Sequence, residues 1–303
     1  MSAVREPGEG AGGAVAPVWL GQRERGSRSL MAALAWVTLT LGRAFGRLSL
    51  PPIALYFVLF GPRARTASAA YLARVLGRPA RRAEVYRHFH TFATAIHDRV
   101  LLLAGRTDVF DVTADGVPAF DAAVAEGRGC VLLGAHVGSF EVLRAIGGEM
   151  RGLRVRMVMA TGNAARIQSV FGRINPACAD WVIPMGTPTA LLRVQEALAR
   201  GEVVGVLADR VWRSERGSAA PFLGSPARFP LGAFRVAAAL GAPVMIGFGL
   251  YRGGNRYDVR FERLDRPGDT AADLLARYVA RLEHACRLAP YNWFNFFDFW
   301  GGE

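Results

Sequence analysis

Residues 131–141 read VLLGAHVGSFE. The apolar start of this stretch has the pattern of a buried strand, the glycines indicate a turn, and the residues after Ser139 follow a helical pattern. Ser139 is a typical N-cap residue and would place Glu141 in the first helical turn. His136 therefore lies in the turn at the carboxyl end of a strand, the edge where open α/β sheets hold ligands and catalytic groups.

Strand and helix patterns alternate from this stretch onward, which favours its interpretation as part of a sheet. Short apolar and β-branched runs predict strands, and segments of helical period lie between them. The predicted strands span 130–133, 155–159, 203–207 and 244–248, and the predicted helices span 140–150, 190–200 and 232–240. This alternation predicts an α/β fold with a mixed, mostly parallel sheet flanked by helices.

Composition divides the chain into four segments. Residues 1–29 are small and Gly-rich and are expected to form a flexible N-terminus, 30–60 form an apolar membrane-associated anchor, 61–104 form a basic helical segment, and 105–303 form the α/β domain with an aromatic C-terminus. The anchor holds two apolar runs, and each is shorter than the roughly 20 residues that cross a bilayer as a helix. The segment is therefore a kinked anchor, a hairpin in the membrane interface or a pair of buried core helices.

The charge of the chain excludes several kinds of chemistry. Its 303 residues carry a formal net charge of +12, and because the sequence holds no lysine, all 37 basic residues are arginines. This excludes a Schiff-base lysine and a P-loop lysine. Clustered arginines beside an apolar anchor favour an anionic membrane surface, whereas no nucleic-acid-binding motif is present. We expect no cofactor and no metal.

His136 and Glu141 are the candidate catalytic pair. A turn separates them, so the carboxylate can fold back to one ring nitrogen and leave the other as a general base. A serine hydrolase is the competing interpretation, but it requires serine at the centre of G-x-S-x-G, and here His136 stands between Gly134 and Gly138.

Four motifs in order carry a resemblance to known enzymes. They are His136 with Glu141 as H-x4-E, Asp209-Arg210 after a strand, Phe229-Pro230-Leu231-Gly232, and Ala242-Pro243-Val244 entering a strand. This order resembles the glycerolipid and lysophospholipid acyltransferase superfamily. Within it the chain is most similar to the lipid A late acyltransferases, which transfer lauroyl or myristoyl chains, and its ending, WFNFFDFW at 293–300, is similar to the subgroup associated with aryl polyenes. Leu231 stands where the glycerol-phosphate enzymes have glutamate, which favours a bulkier acceptor.

The resemblance implies an O-acyltransferase. A fatty acyl chain would move from a thioester, on acyl carrier protein or coenzyme A, to a hydroxyl of a lipid or glycolipid, with His136 as the base and Glu141 orienting it. The amides of Gly138 and Ser139 would stabilise the oxyanion, and the remaining implied substrate-binding residues are Asp209, Arg210, Arg228, Phe229, Pro230 and Gly232. A surface salt bridge is the alternative for Arg228. The expected location is the bacterial inner membrane, with the catalytic domain facing the cytoplasm. The alternative function is a non-catalytic membrane-associated lipid-binding or scaffold protein.

Two further features leave several interpretations open. His88, His90 and His97 precede Asp98, but their spacing matches no helical zinc pattern, so the segment is expected to line an acyl pocket or to pack against the anchor. The aromatic ending could lie at the membrane interface, seal an acyl channel or complete the core.

Overall fold

A computed structural model describes residues 28–160, 172, 174–176, 178–211 and 217–301. The predicted flexible N-terminus lies almost entirely outside these residues. The rest of the prediction can be compared with the elements below.

The centre of the fold is a seven-stranded sheet in the order β1-β9-β8-β2-β5-β3-β4. Its pairs are parallel except for β8 with β9, so β1 and β9 run against the other five strands. The strands are β1 (Asp111–Asp115), β2 (Cys130–Gly134), β3 (Val155–Ala160), β4 (Val182–Met185), β5 (Val203–Leu207), β8 (Val244–Gly253) and β9 (Arg256–Arg263). A separate hairpin joins β6 (Ser218–Phe222) to β7 (Ser225–Phe229). The predicted mixed, mostly parallel α/β architecture is confirmed.

Helices flank the sheet and bury its central strands. Every residue of β2 is buried, which explains why the strand is a continuous apolar run rather than an alternating one. The helices are α1 (Arg28–Leu41), α2 (Arg43–Arg47), α3 (Leu50–Phe60), α4 (Pro62–Leu76), α5 (Arg82–Leu103), α6 (Val117–Ala125), α7 (Phe140–Arg151), α8 (Cys178–Trp181), α9 (Ala190–Ala199), α10 (Gly232–Leu240) and α11 (Ala271–Leu288).

The predicted apolar anchor is broken into short helices. Gly42 separates α1 from α2 with a φ of 91°, and Pro51 and Pro52 lie in the first turn of α3. One side of α3 packs on α5 through buried residues such as Ala54. Within the described residues, none of the helices alone has the length and apolar character to cross a bilayer. Residues 43–60 and 62–76 reach that length and apolar character only when they are taken together, and the chain bends by 98° between them.

Buried polar groups fasten these N-terminal helices to the body. His97 Nε2 lies 2.9 Å from the Thr38 hydroxyl of α1, and the Arg43 guanidinium donates to both Asp98 oxygens at 2.8 and 2.7 Å. Tyr257 of β9 also donates to Asp98, at 3.0 Å. Gly46 approaches His97 so closely that a Cβ would stand 2.3 Å from Nε2. The histidine segment therefore packs against the N-terminal helices, one of the two roles predicted for it.

His88 also has a structural role. Its Nδ1 lies 2.8 Å from the Ser68 hydroxyl, and its Nε2 lies 2.8 Å from the backbone oxygen of Trp293. Burial lowers the pKa of His88 to about 4, so the ring is neutral at physiological pH. Both ring nitrogens thus have partners within the protein, as expected for a core histidine.

The first residues of the aromatic C-terminus lie in the core. Trp293 is 1% exposed and packs edge-on against Tyr71, Phe222 and Phe299 at centroid distances of 4.9, 5.2 and 4.8 Å. Among the three interpretations of this ending, core packing is confirmed for Trp293 and for the buried Phe294.

Candidate active site

His136 lies where the sequence predicted, in the turn between β2 and α7, but a different carboxylate holds it. Its Nδ1 lies 2.8 Å from Asp209 Oδ1. The other oxygen, Oδ2, accepts from the backbone N–H of His136 at 3.1 Å and from the indole N–H of Trp293 at 3.0 Å. Asp209 therefore fixes both the ring and the backbone of His136.

The sheet topology explains why Asp209 reaches the imidazole. Strands β2 and β5 are parallel neighbours, with Gly134 paired to Leu207. His136 and Asp209 each follow these paired positions by two residues, so they lie side by side at the carboxyl edge of the sheet. The amide of Ala208 donates to Gly134 O at 3.0 Å and continues the pairing past the last strand residues.

The predicted contact between Glu141 and the imidazole is wrong. Glu141 lies in the first turn of α7, as expected, but there its carboxylate pairs with Arg99 of α5. Asp209, which follows the neighbouring strand β5, makes the contact with Nδ1, and Arg99 supplies the charge partner of Glu141. Glu141 and Arg99 thus form a second charged pair.

The predicted oxyanion donors are also wrong. The amide of Gly138 donates to Asn292 O and the amide of Ser139 donates to Gly249 O, both at 2.8 Å. Gly138 has a φ of 64°, and a Cβ there would stand 1.9 Å from Gly249 O, so only glycine fits this turn. The turn is built into the sheet by these bonds, and its two amides are committed to the fold.

The charges around His136 favour its neutral form. Burial is the largest cause that lowers the pKa of His136, and the positive charges of Arg210 and Arg99 lower it further. The negative charge of Asp209 and its hydrogen bond raise this pKa, but they do not outweigh the other causes. Burial opposes the ionisation of Asp209, but its hydrogen bonds with His136 and Trp293 and the positive charge of Arg210 hold the pKa of that carboxyl well below its usual range. An ionised Asp209 only accepts, so Nδ1 must carry the proton and Nε2 carries the lone pair. This tautomer is that of a general base.

Comparison with known protein families identifies the family to which the chain belongs. The family model described as bacterial lipid A biosynthesis acyltransferase matches residues 22–300, which is most of the chain. The chain belongs to this family. It is therefore an acyltransferase, and the family acts in the acylation of a lipid acceptor. No curated protein matches the sequence.

The remaining predicted substrate-binding residues of this acyltransferase have different environments. Asp209 is fully buried with both oxygens engaged, so it does not face a substrate. Phe229 is also fully buried and packs on Phe222 and Phe299, and Pro230 is buried beside it. Arg228 is exposed on the hairpin, where it donates to Gly217 O at 3.3 Å. The core position of the aromatic motif contradicts direct substrate contact by Phe229.

Arg210 and Gly232 keep positions compatible with their predicted roles. Arg210 is partly exposed, donates to Phe294 O at 3.0 Å and lies over the ring of Phe297 at 5.3 Å. Its positive charge lowers the pKa of His136, and Arg210 directly follows Asp209 in the sequence. Gly232 is the first residue of α10 and is partly exposed.

A small cavity lies beside the second charged pair of the acyltransferase. It has a volume of about 20 Å³ and is lined by Arg99, Leu103, Glu141, Arg144, Met157, Met159, Trp181 and Val182. Arg144 stacks on Trp181 at 3.9 Å. The lining combines guanidinium groups with apolar walls, and the cavity has room for about one water molecule.

Two residues of the site were not predicted from the sequence. Trp293 holds Asp209 through its indole N–H, and Arg99 pairs with Glu141. The unusual aromatic ending was the only sequence signal for Trp293. Arg99 lies 42 positions before Glu141 in α5, which also carries Arg82 and Arg87, and nothing in the local sequence distinguishes it.

Proposed function

We propose that the protein transfers a fatty acyl chain from a thioester to a hydroxyl of a lipid or glycolipid, with His136 as the general base. The observation that carries this proposal is the contact between His136 Nδ1 and the buried carboxylate of Asp209 at 2.8 Å. A lipid-binding protein has no need of a neutral imidazole held in one tautomer by an ionised carboxylate.

The chemistry follows from the tautomer. His136 Nε2 takes the proton of the acceptor hydroxyl as its oxygen attacks the carbonyl carbon of the thioester. Collapse of the tetrahedral intermediate breaks the carbon–sulfur bond, and the imidazolium returns the proton to the departing sulfur. Asp209 stabilises the imidazolium without taking its proton. Such base assistance is typically worth about 10²- to 10⁴-fold in rate.

The charge of the protein supports an acidic acyl carrier protein as the donor. The net charge of +12 attracts an acidic partner more strongly than it attracts a small donor, because a protein presents many negative charges at once. Arg210 is suited to a phosphate group of donor or acceptor, since guanidinium pairs with phosphate oxygens in a bidentate manner.

An assay with two donors tests this proposal. We expect the purified protein in detergent to form an acylated product from acyl-[acyl carrier protein] and a lipid A-type disaccharide, and to do so faster than from the matching acyl-CoA. Mass spectrometry of the extracted lipid identifies the new ester. Binding of the lipid A-type disaccharide without product from either donor would instead support the lipid-binding or scaffold alternative.

The N-terminal helices are proposed to bind the cytoplasmic face of the bacterial inner membrane. These helices expose large apolar side chains: Trp36, Leu41, Phe45, Leu48, Leu55, Tyr56, Leu59 and Phe60. Two exposed arginines, Arg63 and Arg65, follow this surface directly. An apolar patch beside cations suits an anionic leaflet, where each arginine contributes about 1 kcal/mol.

Removing two leucines from this surface tests the membrane proposal. Leu48→Ser with Leu59→Ser is expected to weaken binding to anionic phospholipid vesicles by about tenfold or more, because burying a leucine is worth roughly 1.5–3 kcal/mol and these two are 73% and 57% exposed. Vesicle sedimentation measures the effect. Leu191→Ser with Leu192→Ser, an exposed pair on α9, is the matched control. Equal loss in both double variants would contradict a specific membrane surface.

A further inference from the structure

The β6–β7 hairpin and the start of α10 carry positive charge that the proposed mechanism does not use. Residues 217–241 contain Arg228 and Arg235 but no aspartate or glutamate. Both arginines are exposed, and neither pairs with a carboxylate among the residues that the structure describes. Arg228 donates only to Gly217 O, at 3.3 Å. Two exposed cations without acidic neighbours in their own segment favour an anionic partner.

The base of the hairpin places Arg228 at the edge of the sheet that holds His136. Gly217 packs against Val211, because a Cβ on Gly217 would stand 2.7 Å from Val211 Cγ2 and 3.1 Å from the Cβ of Arg228. Val211 comes two residues after Asp209, the carboxylate that contacts the imidazole. Arg228 therefore lies close to the segment that leaves β5 at the carboxyl edge.

A buried tyrosine connects the same surface to the strand that carries His136. The hydroxyl of Tyr278 donates to Gly134 O at 2.9 Å, two residues before His136. Its ring contacts Phe229 and Phe234 at centroid distances of 6.4 and 5.2 Å. The two arginines neighbour these buried phenylalanines in the sequence and are themselves exposed. They thus lie on the outer surface of one packed unit that contacts the end of β2.

We infer that Arg228 and Arg235 form the docking surface for an acidic acyl carrier protein. This inference rests on the proposed acyl transfer. A carrier protein holds its acyl chain on a phosphopantetheine arm, so its own surface binds beside the catalytic edge and not at the reacting carbon. The bilayer fits this surface less well, because no large apolar side chain is exposed in the described segment 217–241, in contrast to α1, α2 and α3.

Reversing both charges tests this surface. Arg228→Glu with Arg235→Glu is expected to raise KM for acyl-[acyl carrier protein] by about tenfold at low salt, because each change replaces an attraction with a repulsion. The kcat should stay the same, since neither side chain touches the reacting atoms. The difference in KM should shrink at high salt, which screens exposed charges. KM for the matching acyl-CoA should stay close to that of the parent.

Arg154→Glu with Arg266→Glu is the matched control, because it changes the net charge by the same amount. Both arginines are exposed at the opposite edge of the sheet, where β3 begins and β9 ends. This variant should keep the KM of the parent for the carrier-bound donor. An equal rise in KM in both double variants would mean that net charge acts without a specific surface, and the inference would be wrong.

Two other results would also overturn the inference. If KM for acyl-CoA rises as much as KM for acyl-[acyl carrier protein], Arg228 and Arg235 bind a group that both donors share, such as a phosphate. If the variant loses binding to anionic phospholipid vesicles in sedimentation, the arginines face the bilayer. Melting temperatures identify variants that fail to fold, and Arg228→Gln with Arg235→Gln replaces the charge reversal if the latter unfolds.

A binding measurement without turnover distinguishes failure of this inference from failure of the proposed function. Isothermal titration calorimetry with holo-acyl carrier protein, which carries no acyl chain, should show binding to the parent that is about tenfold weaker in the charge-reversed variant. A parent that forms product from the carrier-bound donor, with a variant of equal affinity and KM, contradicts only the docking surface. A parent that forms no product from either donor contradicts the proposed function itself.

Discussion

Replacing His136 with glutamine is expected to lower kcat for acyl transfer by about 10³-fold, within the range that general-base assistance supplies. The amide of glutamine cannot take a proton from the acceptor hydroxyl. It can still donate to Asp209, so the buried carboxylate keeps a partner and the fold is preserved. The imidazole is partly exposed, with a side-chain exposure of 31%, which further limits the structural cost.

The pH dependence of the parent enzyme tests the same assignment. Burial and the charge of Arg210 lower the pKa of His136 below 6.5, so its base form persists into mildly acidic solution. The acidic limb of kcat/KM, measured under the donor assay described above, should therefore have an apparent pKa below that of free histidine. This limb should be absent from the residual activity of His136→Gln.

His284→Gln is the matched control for this substitution. His284 is an exposed residue of α11, outside the described contacts of the site. Its replacement should leave kcat, KM and the pH profile unchanged. Full activity in His136→Gln, or an equal loss in His284→Gln, would exclude the imidazole of His136 as the base.

The location of His136, the proposed base, could be predicted because it depends on local patterns. A buried strand, a turn and a helix start follow one another within residues 130–141, and their boundaries in the structure agree with the prediction within a residue or two. The predicted strands at 203–207 and 244–248 correspond to β5 and to the first half of β8. Local pattern and parallel topology together determine which edge of the sheet carries His136.

The partners of His136 could not be predicted, because they come from distant parts of the chain. Asp209 lies 73 residues after His136 and reaches it only because β5 is the neighbour of β2. Sequence proximity favoured Glu141 as the partner of the imidazole, but the carboxylate of Glu141 pairs with Arg99 instead. Likewise, no local pattern indicates that Asn292 and Gly249 accept hydrogen bonds from the turn that was expected to hold an oxyanion.

Asp209→Asn is expected to lower kcat by about 10³-fold, although it removes no group that touches substrate. Asp209 accepts three hydrogen bonds, from the His136 ring, the His136 backbone and Trp293. An asparagine must place its NH₂ toward one of these donors. When the amide turns its NH₂ toward Nδ1, the ring adopts the opposite tautomer, and Nε2 carries a proton instead of the lone pair that the reaction requires.

Stability provides a second measurement on the same variant. The folded-state pKa of Asp209 lies below its usual value of 3.8, so its ionisation stabilises the fold above that pH, and this contribution is lost as the pH falls toward the folded-state value. Asp209→Asn should accordingly be less stable than the parent at pH 7. The difference in their melting temperatures should become smaller as the pH is lowered from 5 to 3.

Asp108→Asn is the control, because Asp108 is exposed and pairs only loosely with Arg106 at 3.4 Å. It should change neither kcat nor the pH dependence of the melting temperature. A folded Asp209→Asn variant with the activity of the parent would show that His136 works without a carboxylate at Nδ1. If the Asp209→Asn variant loses kcat only at temperatures at which it unfolds, then Asp209 serves the fold alone. A loss in the folded variant, accompanied by an altered acidic limb of the pH profile, would identify Asp209 as the residue that keeps the base in its active tautomer.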